Sequence, residues 1–173
     1  HNKGDGIRAQ IVNVSKGFSI TDNEGYGIRG GRVKVRGIII RRNKLGGIKI
    51  VRSVSRNENL AKMNDYLNDF NSLIEYSTII ENEGTGIDID YAENAVIDKN
   101  NIFENSWYEV NSQTAAVIAN NNWWGSNSLP NNKIGDQVQV NSWLNDSLSL
   151  IVSSPDETFN LAAEGTDTLN FSI

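Results

Sequence analysis

Apolar positions along this chain come in short alternating runs set between polar corners, as in Ile28, then Val33 and Val35, then Ile38 and Ile40. β-Branched side chains dominate these runs, which favours strands, and no continuous stripe at the helical period passes through them. The pattern also repeats. An Asn-x-x-x-Gly-Ile stretch occurs at 2–7, 23–28, 43–48 and 82–87, and a degenerate copy at 105–110 carries Glu109 in place of the glycine. Ile20, Ile40, Ile79 and Ile102 each stand three positions before an asparagine. Successive copies start 21, 20, 39 and 23 residues apart, so the chain has a period near 20 with one insertion.

A repeat of this length cannot bury its apolar face alone and must stack on its neighbours as a solenoid. Leucine is too scarce at the repeated positions for a leucine-rich repeat. What remains is an all-β parallel β-helix of about five to six coils over residues 1–126. Each coil supplies about three short strands, and coils stack at about 4.8 Å. Residues one period apart then lie on top of one another. Asparagine suits such a column because its amide both donates and accepts, so Asn2, Asn23, Asn43, Asn82 and Asn105 are expected to form a ladder at one corner. Gly6, Gly27, Gly47 and Gly86 fall at the same corner, where a sharp bend calls for a permissive residue. Turns in a β-sandwich also use asparagine and glycine, but do not hold one fixed gap through four copies.

Composition narrows the chemistry. The 173 residues suffice for one sizeable core with a small appendage, and no run of apolar residues is long enough for a membrane span. The chain opens inside a repeat without an initiator methionine, so a longer parent chain is expected. Absence of cysteine excludes disulfides, thiolate nucleophiles and Cys-based metal sites. A single histidine, His1, argues against a Ser-His-Asp triad or a His-rich metal site. Chemistry would fall to carboxylates, Lys, Arg and Tyr, and no cofactor is expected.

The net charge of −5 hides an asymmetry: residues 1–57 hold 13 Lys and Arg against 3 Asp and Glu, and residues 58–173 hold 3 against 18. In a solenoid this predicts a rod with a basic and an acidic end, whereas a nucleic-acid binder is more often basic throughout, so no nucleic-acid partner is expected. The period stacks Arg8, Arg29 and Lys49 in one outward column continued by Asp88 and Asn111, and it stacks Arg32 on Arg52 and Arg36 on Arg56 on a second face. Like charges one strand apart repel, so counterions, an acidic ligand or other parts of the chain must offset them. Arg29, Arg32, Lys49 and Arg52 are the candidate binding residues. Asp88, Asp90 and Glu93 are weak calcium candidates, since alternating acids on a strand also suit plain solvation.

Residues 54–75 form the insertion. Leu60, Met63, Leu67, Phe70 and Ile74 step by 3 and 4, which predicts an amphipathic helix. It would pack on the coil or serve as a specificity element. Trp123 and Trp124 break the pattern and are expected to cap the last coil, and residues 127–173 suggest two or three antiparallel strands. Asn-x-Ser triplets at 13, 145 and 170 match the glycosylation pattern.

The coil consensus followed by Asn121-Asn122-Trp123-Trp124-Gly125-Ser126, Pro130, Val138, Val140 and Ser142-Trp143-Leu144 resembles the adhesin-like surface proteins of methanogenic archaea. The resemblance implies a right-handed coil similar to the pectate-lyase fold and an extracellular or cell-surface location, and residues 127–173 are expected to be either the opening of an immunoglobulin-like domain or strands packed on the coil. The insertion at 54–75 is not something that family's pattern requires. Three functions are compatible: a non-catalytic adhesin-like module that binds a polysaccharide, cell wall or cell-surface glycan; a polysaccharide lyase or hydrolase using Asp88, Asp90, Glu93 and Lys49; and a structural spacer.

Overall fold

The computed structural model describes residues 2–51, 72–90, 95–113, 116–151, 159–163 and 168–171. The first coil supplies β1 (Ile7–Ser15) and β2 (Ser19–Thr21), and the second β3 (Tyr26–Arg36) and β4 (Ile39–Arg41). The third supplies β5 (Gly46–Ile50), β6 (Leu73–Glu75) and β7 (Thr78–Ile80), and the fourth β8 (Thr85–Ile89), β9 (Val96–Asp98) and β10 (Asn101–Phe103). The fifth holds β11 (Val110–Ser112) and β12 (Val117–Asn120), on which β13 (Val138–Gln139) pairs. All pairings among these strands are parallel, giving a β-solenoid of about five turns. β1 and β3 are long because each runs through the first two faces; β3 pairs with β5 along its first half and β6 along its second.

Registry places the aliphatic residues of the repeat on one another. Ile7, Ile28, Ile48, Ile87 and Val110 form one inward column. Val14, Val35, Ile74, Ile97 and Ala119 form a second, and Ile20, Ile40, Ile79 and Ile102 a third. Eleven isoleucines among the described residues are fully buried. Each contributes about 1.5–3 kcal/mol by leaving water, so these columns are the main source of stability.

The corners are set by polar chemistry. Asn23, Asn43, Asn82 and Asn105 are buried and joined: each of the first three donates from Nδ2 to the Oδ1 of the next at 2.7, 3.0 and 2.8 Å. The same Oδ1 atoms accept the backbone N–H of the asparagine one coil before, which no sheet bond satisfies at the bend. Glycine follows four positions later for a steric reason: a Cβ on Gly27 would lie 2.9 Å from Asn43 Nδ2 and 2.8 Å from the Gly47 carbonyl. Asn2 lies outside the ladder; it is exposed, and its Nδ2 donates to the Asp5 carbonyl at 2.7 Å.

The ladder ends on Glu109. No asparagine follows Asn105 at this corner, and Glu109 fills that place, its Oε2 accepting from Asn105 Nδ2 at 2.6 Å. Lys133 Nζ lies 3.5 Å from Oε1 and also donates to the Asn105 carbonyl. Burial pushes the Glu109 carboxyl above its ordinary pKa, against the lowering effects of Asn105 and Lys133. A second ladder runs at another corner. Ile38 N–H donates to Ser77 Oγ, Ser77 N–H to Asn100 Oδ1 at 2.9 Å, and Asn100 N–H and Nδ2 to Asn122 Oδ1 at 2.9 and 3.0 Å. In both ladders the preceding residue is left-handed: Asp22, Arg42, Glu81 and Glu104 before the first, Tyr76, Lys99 and Asn121 before the second, with φ between 51° and 60°. A conformation costing about 1–2 kcal/mol in a non-glycine residue is thus held by the amide network beside it.

Two further expectations change. Residues 72–75 are not helical: Ile74 is a buried strand residue between Val35 and Ile97, and no helix occurs among the described residues. The remainder of the expected helix, with Leu60, Met63, Leu67 and Phe70, lies outside them, as do Arg52, Arg56 and Glu93. Arg36 pairs with Glu75, not Arg56. The insertion is spliced between the first and second faces of the third coil, so the offset has become 39 by Lys34, which faces Leu73. Trp123 bridges Asn101 and meets Phe103 edge-on at 4.7 Å, while Trp124 is buried at the end of the core. β14 (Leu148–Ile151), β15 (Phe159–Ala163) and β16 (Thr168–Phe171) form an antiparallel sheet. Asn101 docks β14 by exchanging bonds with the main chain of Leu148 at 2.5 and 2.7 Å.

Candidate ligand-binding surfaces

The outward column next to the first inward one reads Arg8, Arg29, Lys49, Asp88 and Asn111, in register coil over coil. Its upper part is closed on itself. Lys49, 8% exposed, places Nζ 2.5 Å from Asp88 Oδ2 and 2.5 Å from Asp90 Oδ1, and Asn111 Nδ2 donates to Asp88 Oδ1 at 3.1 Å. Burial alone would lower the Lys49 pKa, but hydrogen bonds and charge from the two aspartates outweigh it and raise the value. The ammonium is therefore locked on, and its stabilising effect is present below the ordinary lysine pKa of about 10.4 and lost only as pH rises through the folded value. Asp88 and Asp90 are thus both held by the Lys49 ammonium. A lyase reading would need Lys49 as a base, and here it is a buried ion-pair member.

The lower part of the column is open. Arg8 is exposed and Arg29 half-buried, and among the described residues neither meets a carboxylate. Some other cations of the solenoid do meet acids: Arg42 bonds Asp22 through Nε and Nη2 at 2.7 and 2.9 Å, and Lys44 lies 3.6 Å from Glu24. The hydrogen bond from Arg42 holds the Asp22 carboxyl down at about 2.

On the second face, Arg32 lies beside Ile11, and its Nη1 is buried with no partner among the described residues. Lys34 and Arg36 follow it and line a shallow groove with Asn13, Ser15, Leu73 and Glu75. Arg36 is fixed there by Glu75 at 2.9 Å and lies 4.5 Å from the centre of the Tyr76 ring. The structure therefore groups Arg8, Arg29, Arg32, Lys34 and Arg36 on the first two coils, whereas Lys49 on the third is bonded to Asp88 and Asp90.

Sequence reasoning passed over the exposed aromatics Trp107 and Tyr108, at 70% and 40% exposure. They occupy variable positions of the degenerate repeat copy, and the signal was the coincidence of two aromatics at a corner that is otherwise glycine-rich. Comparisons with protein-family models, with curated proteins and with solved structures gave no match.

Proposed function

We propose that this chain is a non-catalytic binding module of the cell exterior, a rigid rod whose basic first coils hold an acidic polysaccharide or cell-surface glycan. One observation carries the reading: Arg8 and Arg29 are stacked in register, one strand spacing apart, with no carboxylate meeting either among the described residues. Like charges on residues stacked about 4.8 Å apart repel, and a repeating polyanion laid along the rod relieves that repulsion. Placement outside the cell, and the right-handed sense of the coil, are supported by the resemblance of the segment from Asn121 to Leu144. Asp88, Asp90 and Lys49, three of the residues an enzymatic alternative would use, are bonded to one another, which favours binding over turnover.

The test is retardation in native gels containing polygalacturonate, at low and high salt. Arg8→Gln with Arg29→Gln is expected to weaken binding about tenfold at low salt and flatten its salt dependence, as surface charge contacts do. Arg42→Gln with Lys44→Gln removes the same charge elsewhere and is expected to change binding little. Equal loss in both pairs would reduce the effect to net charge and sink the proposed contact.

A further inference from the structure

Two columns run side by side along the corner that follows the first asparagine ladder. One reads Gly4, Gly25, Leu45, Gly84 and Trp107, linked by backbone bonds from Gly25 to Gly4, Leu45 to Gly25 and Trp107 to Gly84. The other contains Tyr26, Gly46 and Thr85 in register, and Tyr108 stands beside Trp107 at the fifth coil. Leu45, Trp107 and Tyr108 are all exposed, at 54%, 70% and 40%. Between Leu45 and Trp107 lies Gly84, which is buried and has no room for a side chain, because a Cβ there would strike the Leu45 carbonyl. Trp107 therefore stands about 9.6 Å of axial rise from Leu45, counting two strand spacings.

This tryptophan is presented on fixed backbone. Asn105, two residues before it, is the fully buried end of the ladder, and Glu109, two residues after it, is the buried carboxylate that closes that ladder. Trp107 is 70% exposed, so its face lies in water. The column on the other flank is polar and of mixed sign, with exposed Lys44, Glu83 and Ser106. An exposed indole and phenol together offer on the order of 200 Å² of apolar face, far below the roughly 800 Å² per partner of a stable protein contact. That area suits one sugar ring.

We propose that the Trp107–Tyr108 corner is a stacking site for the apolar face of a neutral pyranose unit. The axial C–H bonds of such a ring carry partial positive charge and meet the negative face of the indole, while the ring hydroxyls remain at the edge, facing water and the polar column. Mixed charge on the flank gives no preference for an anionic sugar. The site rests on glycan binding as the function, but it is separate from the arginines and should be indifferent to salt.

Affinity electrophoresis of the intact chain through gels containing hydroxyethyl cellulose, galactomannan or xylan tests it, with polygalacturonate run in parallel. The expected result is retardation by at least one neutral polymer, a loss of about tenfold or more in Trp107→Ala, retention in Trp107→Tyr, and no change in polygalacturonate binding for either. Thermal unfolding of both variants should match the parent, since the side chain is exposed. No retardation by any neutral polymer, or equal retardation of Trp107→Ala, would overturn the site. Self-association abolished by Trp107→Ala would likewise overturn it, assigning the corner to a second copy of the chain. Failure of the arginine variants alone leaves this result standing, so the two proposals are separable.

Discussion

The inner asparagine ladder and the outer arginine column obey the same geometry with opposite consequences. In both, residues of one type are stacked coil over coil at one strand spacing. An amide donates and accepts, so each added asparagine satisfies its neighbour. A guanidinium only donates, so each added arginine repels the one below. The solenoid answers this where Lys49 meets Asp88 and Asp90, and where Arg42 meets Asp22. At Arg8 and Arg29 the described residues supply no such answer. The difference separates stacking that builds the rod from stacking that leaves it able to bind.

The largest expected effect breaks the inner column. Asn82→Ala removes the acceptor used by Asn43 N–H and Nδ2 and the donor to Asn105 Oδ1, all buried. With unmet buried groups costing about 1–3 kcal/mol each, it should lower unfolding free energy by about 3 kcal/mol or more in a denaturant titration. A change under about 1 kcal/mol would remove the ladder from the account of stability.

Next comes the point where the outer column becomes like the inner one. Lys49→Met leaves Asp88 and Asp90 facing each other without the ammonium. A loss of about 2 kcal/mol is expected, less than the roughly 3–5 of a fully buried pair because Asp90 keeps contact with water. Met at this position with unaltered stability would show the triad to be solvated decoration.

A smaller effect sharpens the comparison at the ladder's end. The Glu109 pKa is raised in the folded state, so folding favours its protonated form; stability from this group is greatest at low pH and falls as pH rises through the folded value. Glu109→Gln keeps an oxygen acceptor for Asn105 and removes the charge. Its Tm should exceed that of the parent at pH 7, with the gap closing towards pH 4. A gap that widens on acidification would mean that the Lys133 ion pair, not burial, governs this carboxylate.

How much of this was legible follows from which residues repeat. The first ladder announces itself because the same asparagine recurs with the same glycine. The second is hidden: its positions are Ile38, Ser77, Asn100 and Asn122, and only the last two look alike. The left-handed corners are hidden too, since Tyr76, Lys99, Arg42, Glu81 and Glu104 carry no glycine-like mark. The period gave the column from Arg8 to Asn111 but misplaced Arg36, because it does not say within which face of a coil an insertion is spliced. The spacing of 39 between Val35 and Ile74, equal to that between Asn43 and Asn82, was the available clue. Side-chain fate was the least legible layer. Nothing in the alternation of Asp88 and Asp90 tells that Lys49 lies between them within 2.5 Å.

Arg29→Gln, read for both stability and polygalacturonate binding on the same preparation, tests the central claim most directly. The residue sits between Arg8 and Lys49 in the outer column. If its stacking is retained for a ligand, the variant is more stable than the parent and binds several-fold more weakly at low salt. A variant that loses stability and binds as before would contradict the account.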